Sequence, residues 1–63
     1  MPDLVRFPEV RRLVESNGWV LDRVHGSHHI FVKPGARNIV IVVHHGKVKP
    51  AYVRQAQKII EGD

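Results

Sequence analysis

The spacing of apolar residues near the start of the chain is that of a helix with one buried face. Over residues 8–17, Val10, Leu13 and Val14 recur at intervals of three and four positions, which places them on one stripe. Asn17-Gly18 ends this pattern, because glycine readily adopts the left-handed conformation that closes helices. The chain therefore opens with one short amphipathic helix.

Three segments that follow are rich in β-branched and aromatic residues and are predicted to be strands. They cover residues 19–24, 29–33 and 38–43. Strict alternation in the first segment puts Trp19, Leu21 and Arg23 on one face, with Trp19 as a core residue at the helix–sheet junction. Pro and Gly within Pro34–Arg37 predict a four-residue turn that joins the other two segments into a hairpin.

A second helix is predicted over residues 50–61, where Pro50 suits the first turn because no N–H is needed there. The element order is α-β-β-β-α, an α+β fold in which a three-stranded antiparallel sheet packs both helices on one face. A chain of 63 residues allows a single domain, residues 1–63. The third strand is apolar on both faces, so it is either well covered within the fold or an edge strand whose outer face is buried by a partner protein or by a second copy of the chain, as a homodimer. The second interpretation is preferred, because the third strand of a meander lies at an edge. The apolar stripe of the second helix consists of Tyr52, Val53, Ala56, Ile59 and Ile60.

Histidines stand at both ends of the predicted hairpin. His28-His29 opens its first strand and His44-His45 follows its second. A four-residue loop puts His29 opposite Val42, and a longer loop moves His29 toward His44, so both pairs are expected at one end of the sheet. His28 and His29 point to opposite faces, and the pattern alone does not decide which of them meets solvent. His25 is interpreted as a turn residue.

Composition narrows the class of protein. The formal net charge is +4 with neutral histidines, and a positive charge on so small a chain favours anionic partners, nucleic acid first. There is no cysteine, so neither a disulfide nor a thiolate is available. The first residues lack the apolar segment of a signal peptide, and residues 39–43 are far short of the roughly 20 residues that cross a bilayer. A soluble cytoplasmic protein without a membrane partner is expected.

Three kinds of chemistry are considered for the end of the sheet where His28, His29, His44 and His45 are expected, which we call the histidine corner. A zinc site needs three or four ligands, and the chain has no helical His-x-x-x-His and only Asp22 as a nearby carboxylate, so no metal and no cofactor are expected. A serine hydrolase would need Ser27 beside an oriented base, which its sequence neighbour His28 does not provide. Acid–base cleavage of RNA needs only imidazole to move a ribose proton and cations to stabilise the transition state. The remaining interpretation is that the histidines merely fill polar strand ends.

The order of short motifs resembles the HicA (YcfA-like) toxins. Gly18-Trp19 follows the first helix, Gly26-Ser27-His28-His29-Ile30-Phe31 opens a strand, and Val43-His44-His45-Gly46 precedes the last helix. The resemblance covers roughly residues 10–60. It implies a fold similar to the double-stranded-RNA-binding domain. It also implies an mRNA-cleaving toxin of a type II toxin–antitoxin pair, neutralised by a HicB-type antitoxin.

The same resemblance implies a catalytic histidine in the Gly-Ser-His-His segment, which maps to His28 or His29. His28 is preferred because it follows Gly-Ser directly. Ser27 and His45 are candidate supporting residues, although the family often has a proline where Val43 stands, which weakens the case for His45. The RNA backbone is expected to be held by Lys33, Lys47, Lys49 and Arg54.

The expected function is therefore a metal-independent endoribonuclease with His28 or His29 as general acid or base. The antitoxin is expected to cover the apolar third strand and the histidine corner. The alternative is a non-catalytic RNA-binding module on the same fold, since double-stranded-RNA binders read shape with basic residues and need no clustered histidines. A protein-interaction domain whose basic face only confers solubility is a second alternative.

Overall fold

The computed structural model describes residues 3–62, which form two helices and five strands. The strands β2, β3 and β4 form one antiparallel sheet in that order, and β1 pairs with β5 in a separate two-stranded sheet. The three longer strands and both helices confirm the predicted α+β order, each within about one residue of its expected bounds. In chain order the elements are β1 (Val5–Arg6), α1 (Phe7–Ser16), β2 (Val20–His25), β3 (His28–Val32), β4 (Ile39–Val42), β5 (Lys47–Val48) and α2 (Pro50–Ile60).

Local sequence signals determine where α1 ends. Gly18 has a φ of 100°, and its N–H donates to the carbonyl oxygen of Glu15 at 3.1 Å. This is the left-handed helix end that Asn17-Gly18 predicts. The helix buries Val10 and Val14, whereas Leu13 is half-buried, so two of the three residues of the predicted apolar stripe are confirmed as core residues.

The core lies between the helices and one face of the three-stranded sheet. Trp19 is 3% exposed, and its indole Nε1 donates to the carbonyl oxygen of Arg37 at 2.9 Å. Its expected position at the helix–sheet junction is therefore confirmed, and it also fixes the loop between β3 and β4. The buried side chains of the core are Val10, Val14, Trp19, Phe31, Ile39, Ile41, Val48 and Ala56.

The register of the β3–β4 hairpin differs by one residue from the expected one. His28, not His29, is paired with Val42, and His29 is paired with Ile41. The cause is a turn in which the Lys33 carbonyl oxygen accepts from the Ala36 N–H at 3.1 Å, with Gly35 at a φ of 74°. Pro-Gly at the centre is typical of a type II turn, and with this turn His29 lies one residue farther from His44 than the four-residue loop predicts, not nearer to it.

A β-bulge in β2 overturns the expected faces of that strand. Leu21 is paired with Phe31, but Arg23 rather than Asp22 is paired with Ile30. The extra residue reverses the alternation, as bulges do, so Arg23 shares no face with Leu21. His25, which the sequence suggested as a turn residue, is the last residue of β2 and is paired with His28.

The two-stranded sheet was not predicted from the sequence. Val5 is paired with Val48, and the N–H of Phe7 donates to the carbonyl oxygen of Gly46 at 2.9 Å. These contacts fix the segment before α1 to the segment before α2. No helix within residues 3–62 is both long enough and apolar enough to span a membrane.

Candidate functional site

The face of the three-stranded sheet that points away from the core carries many accessible side chains. Cross-strand partners share a face, so the register defines the members of this surface. Val20 is 64% exposed and Val40 is 39% exposed, so solvent reaches much of both valines. We call this surface the open face. It consists of Val20, Arg23, His25, His28, Ile30, Val32, Val40 and Val42.

His28 lies at one end of the open face between two cross-strand neighbours. It is paired with His25 on β2 and with Val42 on β4, and both histidines are exposed. Paired residues in antiparallel strands have Cα atoms about 4.5–5.5 Å apart, so the two imidazoles project side by side. Gly26, the first residue of the turn between them, has a φ of 58°, which suits a type II′ turn. A tight hairpin turn therefore holds two accessible imidazoles next to each other.

A cation lies near this pair of histidines. Arg23 is paired with Ile30, two positions along β3 from His28, and diagonal neighbours of this kind are about 7–8 Å apart. The Nη1 of Arg23 donates to Oδ2 of Asp22 at 2.7 Å, and both side chains are about half exposed. The guanidinium keeps further donors, so it can also bind an anion at the histidine pair.

His29 has different surroundings from His28. It is half-buried on the core side of the sheet, where its ring centroid lies 4.6 Å from that of Phe7. Its Nδ1 lies 3.4 Å from the carbonyl oxygen of Ser27. The structure thus places the two consecutive histidines on opposite faces, and His28 is the one that is open to solvent.

Ser27 contributes its backbone to this end of the sheet. Its carbonyl oxygen accepts a hydrogen bond from the Val43 N–H at 2.8 Å, which ties the β2–β3 turn to the end of β4. The residue itself is half-buried. This bond supports the position of His28 without placing the Ser27 hydroxyl in any chemical role.

His44 and His45 belong to a second tight turn. His44 and Lys47 exchange two backbone hydrogen bonds of 2.9 Å. Between them, His45 has a φ of 52° and Gly46 a φ of 74°, and positive values at both central positions are typical of a type I′ turn. All four residues are exposed. The turn carries His44 and Lys47 to the same end of the sheet as His28, as the sequence predicts for the two histidine pairs.

An accessible groove begins beside the partner of His28. It has a volume of about 360 Å³ and lies between the end of β4 and the start of α2. A neighbouring groove of similar size shares two of its residues and adds Arg54 at its far side. We call the two together the β4–α2 groove. Its lining residues are Leu4, Val42, His44, Lys49, Pro50, Ala51, Tyr52 and Arg54.

The basic residues singled out in the sequence divide into two groups. Lys47, Lys49 and Arg54 are exposed, and they lie near His44 or in the β4–α2 groove. Lys33 follows the other end of β3, roughly 17 Å along the strand from His28. Its Nζ donates to the Asn17 carbonyl oxygen at 3.0 Å and lies 4.6 Å from the Trp19 ring centroid. The structure does not bring Lys33 together with the other cations.

The part of the chain covering residues 3–62 contains no group of three His, Asp or Glu side chains arranged to hold a metal ion. The arrangement around His28 offers imidazole and guanidinium groups instead. Imidazole can accept or donate a proton near neutral pH, and a guanidinium can stabilise negative charge on a phosphate.

Sequence reasoning missed His25 and Arg23 as members of this site. The signal for His25 was present, since Gly26-Ser27 between two β-rich segments predicts a two-residue hairpin whose flanking residues pair. No comparable signal marks Arg23, because only the bulge at Asp22 brings it to the open face.

Comparison with known proteins identifies a family. The family model described as "HicA toxin of bacterial toxin-antitoxin" matches residues 7–61 of the 63 residues. The matched range includes both helices, the whole three-stranded sheet and both histidine pairs. Comparisons with the curated proteins and with the solved structures give no match.

Proposed function

Because this chain belongs to the HicA toxin family of bacterial toxin–antitoxin systems, we propose that it is an endoribonuclease that cleaves mRNA through proton transfer by His28. The observation that supports this proposal best is the position of His28 on the open face, exposed and directly paired with the exposed His25. Its sequence neighbour His29 is half-buried against Phe7, so His28 is the better placed of the two to meet an RNA strand.

In the proposed reaction one imidazole of the pair accepts the proton of a ribose 2′-hydroxyl. The 2′-oxygen then forms a bond to the adjacent phosphorus while the bond from phosphorus to the 5′-oxygen breaks. The second imidazole, in its protonated form, donates a proton to that leaving oxygen. The products are a 2′,3′-cyclic phosphate and a free 5′-hydroxyl. The first imidazole gains one proton and the second loses one, so the step needs neither an oxidant nor a metal.

Negative charge develops on the phosphate oxygens during this step. Arg23 lies diagonally across from His28, and Lys47 follows the turn that carries His44. A preorganised cation aimed at such charge stabilises the transition state more than the ground state. Arg23 is therefore proposed as the nearest charge stabiliser, with Lys47, Lys49 and Arg54 along the path of the RNA backbone.

We further propose that the antitoxin, a HicB-type protein, covers the open face. The exposed Val20 and Val40 present apolar surface that soluble proteins usually bury in an interface. The same surface contains His28, so a partner that covers it would also block the proposed site. A homodimer through the same valines is the competing occupant, and the oligomeric state of the isolated chain decides between them.

The test of the proposed activity is cleavage of a defined mRNA by the purified chain in the presence of EDTA. Cleavage that persists in EDTA and yields 2′,3′-cyclic phosphate and 5′-hydroxyl ends is expected. Binding of RNA without cleavage would contradict the proposal and favour the non-catalytic RNA-binding module. Cleavage abolished by EDTA would contradict the metal-independent mechanism.

A further inference from the structure

The β4–α2 groove has the composition of a site for one unpaired nucleotide. Part of its wall is apolar, with Leu4, Val42 and the ring of Tyr52, and its rim carries His44 and Lys49. Leu4 is 54% exposed and Tyr52 is half-buried, so the ring has an accessible part. An aromatic ring beside a cation is the combination with which proteins bind single-stranded nucleic acid, because any base can stack on the ring.

The charges of the groove favour an anionic occupant. Lys49 lines both of its parts, and Arg54 extends the positive charge along α2. None of the described residues that line either part is acidic. A cleft along the outer side of α2 shares Tyr52 and Arg54 with the groove and adds Lys58, but unlike the groove it also contains an acidic residue, Glu61.

The groove is continuous with the proposed catalytic pair. Val42 lines the groove and is also the cross-strand partner of His28. A strand of RNA whose phosphate lies at His28 therefore has its neighbouring nucleotide within reach of the groove. A paired base cannot offer its face to Tyr52, because stacking on a side chain requires a base that is free of its helix.

We propose that the β4–α2 groove binds one unpaired nucleotide of the RNA, with the base stacked on Tyr52 and a phosphate on Lys49. This inference rests on the proposed function and adds a preference for single-stranded RNA at the position next to the cleaved bond. It assigns to Tyr52 a binding role that is separate from its packing on the core.

Binding is measured with the full chain carrying His28→Ala, so that the RNA is not cleaved, and with labelled hexauridylate, hexaadenylate and a duplex of the same length. Both single strands are expected to bind more tightly than the duplex. In the same background Tyr52→Phe should keep the affinity within about twofold, and Tyr52→Leu should weaken it roughly tenfold, since only the former keeps a stacking ring. Equal affinities of these two variants would overturn the proposal.

Lys49→Gln and Lys58→Gln form a matched pair of exposed lysines near the two ends of α2. Lys49→Gln should lower the slope of log affinity against log salt by about 0.7, the value for one phosphate contact on a single strand. Lys58→Gln should leave that slope unchanged. An unchanged slope for Lys49→Gln, or equal changes for both lysines, would overturn the assignment of the phosphate to Lys49.

An NMR titration tests the groove without a substitution in it, so its result does not depend on whether the Tyr52 and Lys49 variants fold. The chain has a single tyrosine and a single tryptophan, so the ring protons of Tyr52 and Trp19 are identified in an NMR spectrum without ambiguity. Titration with hexauridylate should shift the Tyr52 ring signals and leave the buried Trp19 signals in place. Shifts confined to other residues would contradict the groove.

The two proposals can fail separately. If His28→Ala still cleaves RNA while Tyr52→Leu weakens binding, the catalytic assignment fails and the groove stands. If His28→Ala abolishes cleavage while Tyr52→Leu and Tyr52→Phe bind alike, the groove fails and the catalytic assignment stands. Loss of antitoxin affinity without loss of RNA affinity in Tyr52→Leu would show that a protein occupies the groove, and the inference would be wrong.

Discussion

The imidazole of His29 packs against the ring of Phe7, with the two centroids 4.6 Å apart and the planes tilted by 51°. Phe7 is the first residue of α1, so this contact joins the start of the helix to β3. Aromatic pairs in this arrangement add about 0.5–1.5 kcal/mol beyond the area that they bury. Of two adjacent histidines, one therefore stabilises the fold, and the other is left accessible on the open face.

This difference predicts opposite results for the two positions. His28→Ala should lower the rate of RNA cleavage by roughly 100-fold or more, the contribution typical of a general acid or base. His29→Phe should keep the rate, because a phenyl ring preserves the contact with Phe7. The rates are measured on one mRNA with both variants checked for native circular dichroism. If His28→Ala keeps full activity, or if only His29→Phe loses activity, the assignment of His28 as the proton-transfer residue is wrong.

His25 is expected to take part in the same proton transfers as His28. His25→Ala should slow cleavage roughly 100-fold, since one of the two proton-transfer groups is removed. His29→Phe is the matched control, because it replaces a histidine of the same hairpin that lies on the other face of the sheet. The rates are measured on the same mRNA, and if both variants keep the wild-type rate, His25 has no part in the reaction.

The open face should be the surface on which the antitoxin binds. Val40→Asp, which puts a charge among apolar side chains of this face, is expected to weaken the complex by tenfold or more while RNA cleavage by the free chain continues. Val24→Asp is the control, because Val24 is 47% exposed but is paired with His29 and so lies on the other face. Affinities are measured by calorimetry with the purified antitoxin. Equal effects of the two variants would exclude the open face as the specific interface.

Lys33 is expected to stabilise the fold through its contacts with Asn17 and Trp19. Lys33→Met keeps the aliphatic stem but removes the hydrogen bond and the cation–π contact, and should lower the free energy of unfolding by about 1 kcal/mol. Urea unfolding followed by the fluorescence of the single tryptophan measures this change. An unchanged midpoint would show that these contacts contribute nothing. The salt dependence of RNA binding by the same variant tests the separate prediction that Lys33 binds the RNA backbone.

The elements of the fold were predictable where a single residue type controls the backbone. Gly18 ends α1 because its φ of 100° is costly for other residues, and Pro50 opens α2 because its missing N–H needs no partner there. The three longer strands followed from their β-branched composition. These signals are local, so they do not depend on contacts with distant parts of the chain.

The parts that the sequence did not reveal depend on contacts between distant segments. The bulge at Asp22 and the type II turn after β3 each shift a strand by one residue, and such a shift moves side chains to the other face or to another partner. Both shifts change the candidate site, since the bulge brings Arg23 to the open face and the turn at the far end of the hairpin puts His28 opposite Val42. The prediction that both histidine pairs lie at one end of the sheet was right. The residues that pair with His28, which are His25 and Val42, were not predicted.

The pairing of Val5 with Val48 has a consequence for the order in which the chain folds. The ribosome makes β1 before all three strands of the main sheet, yet β1 finds its partner only after they have been made. Contacts between such distant positions close late, since chain entropy opposes them. A nascent chain that stops short of β5 would carry both histidine pairs without the strand that pairs with the segment before α1.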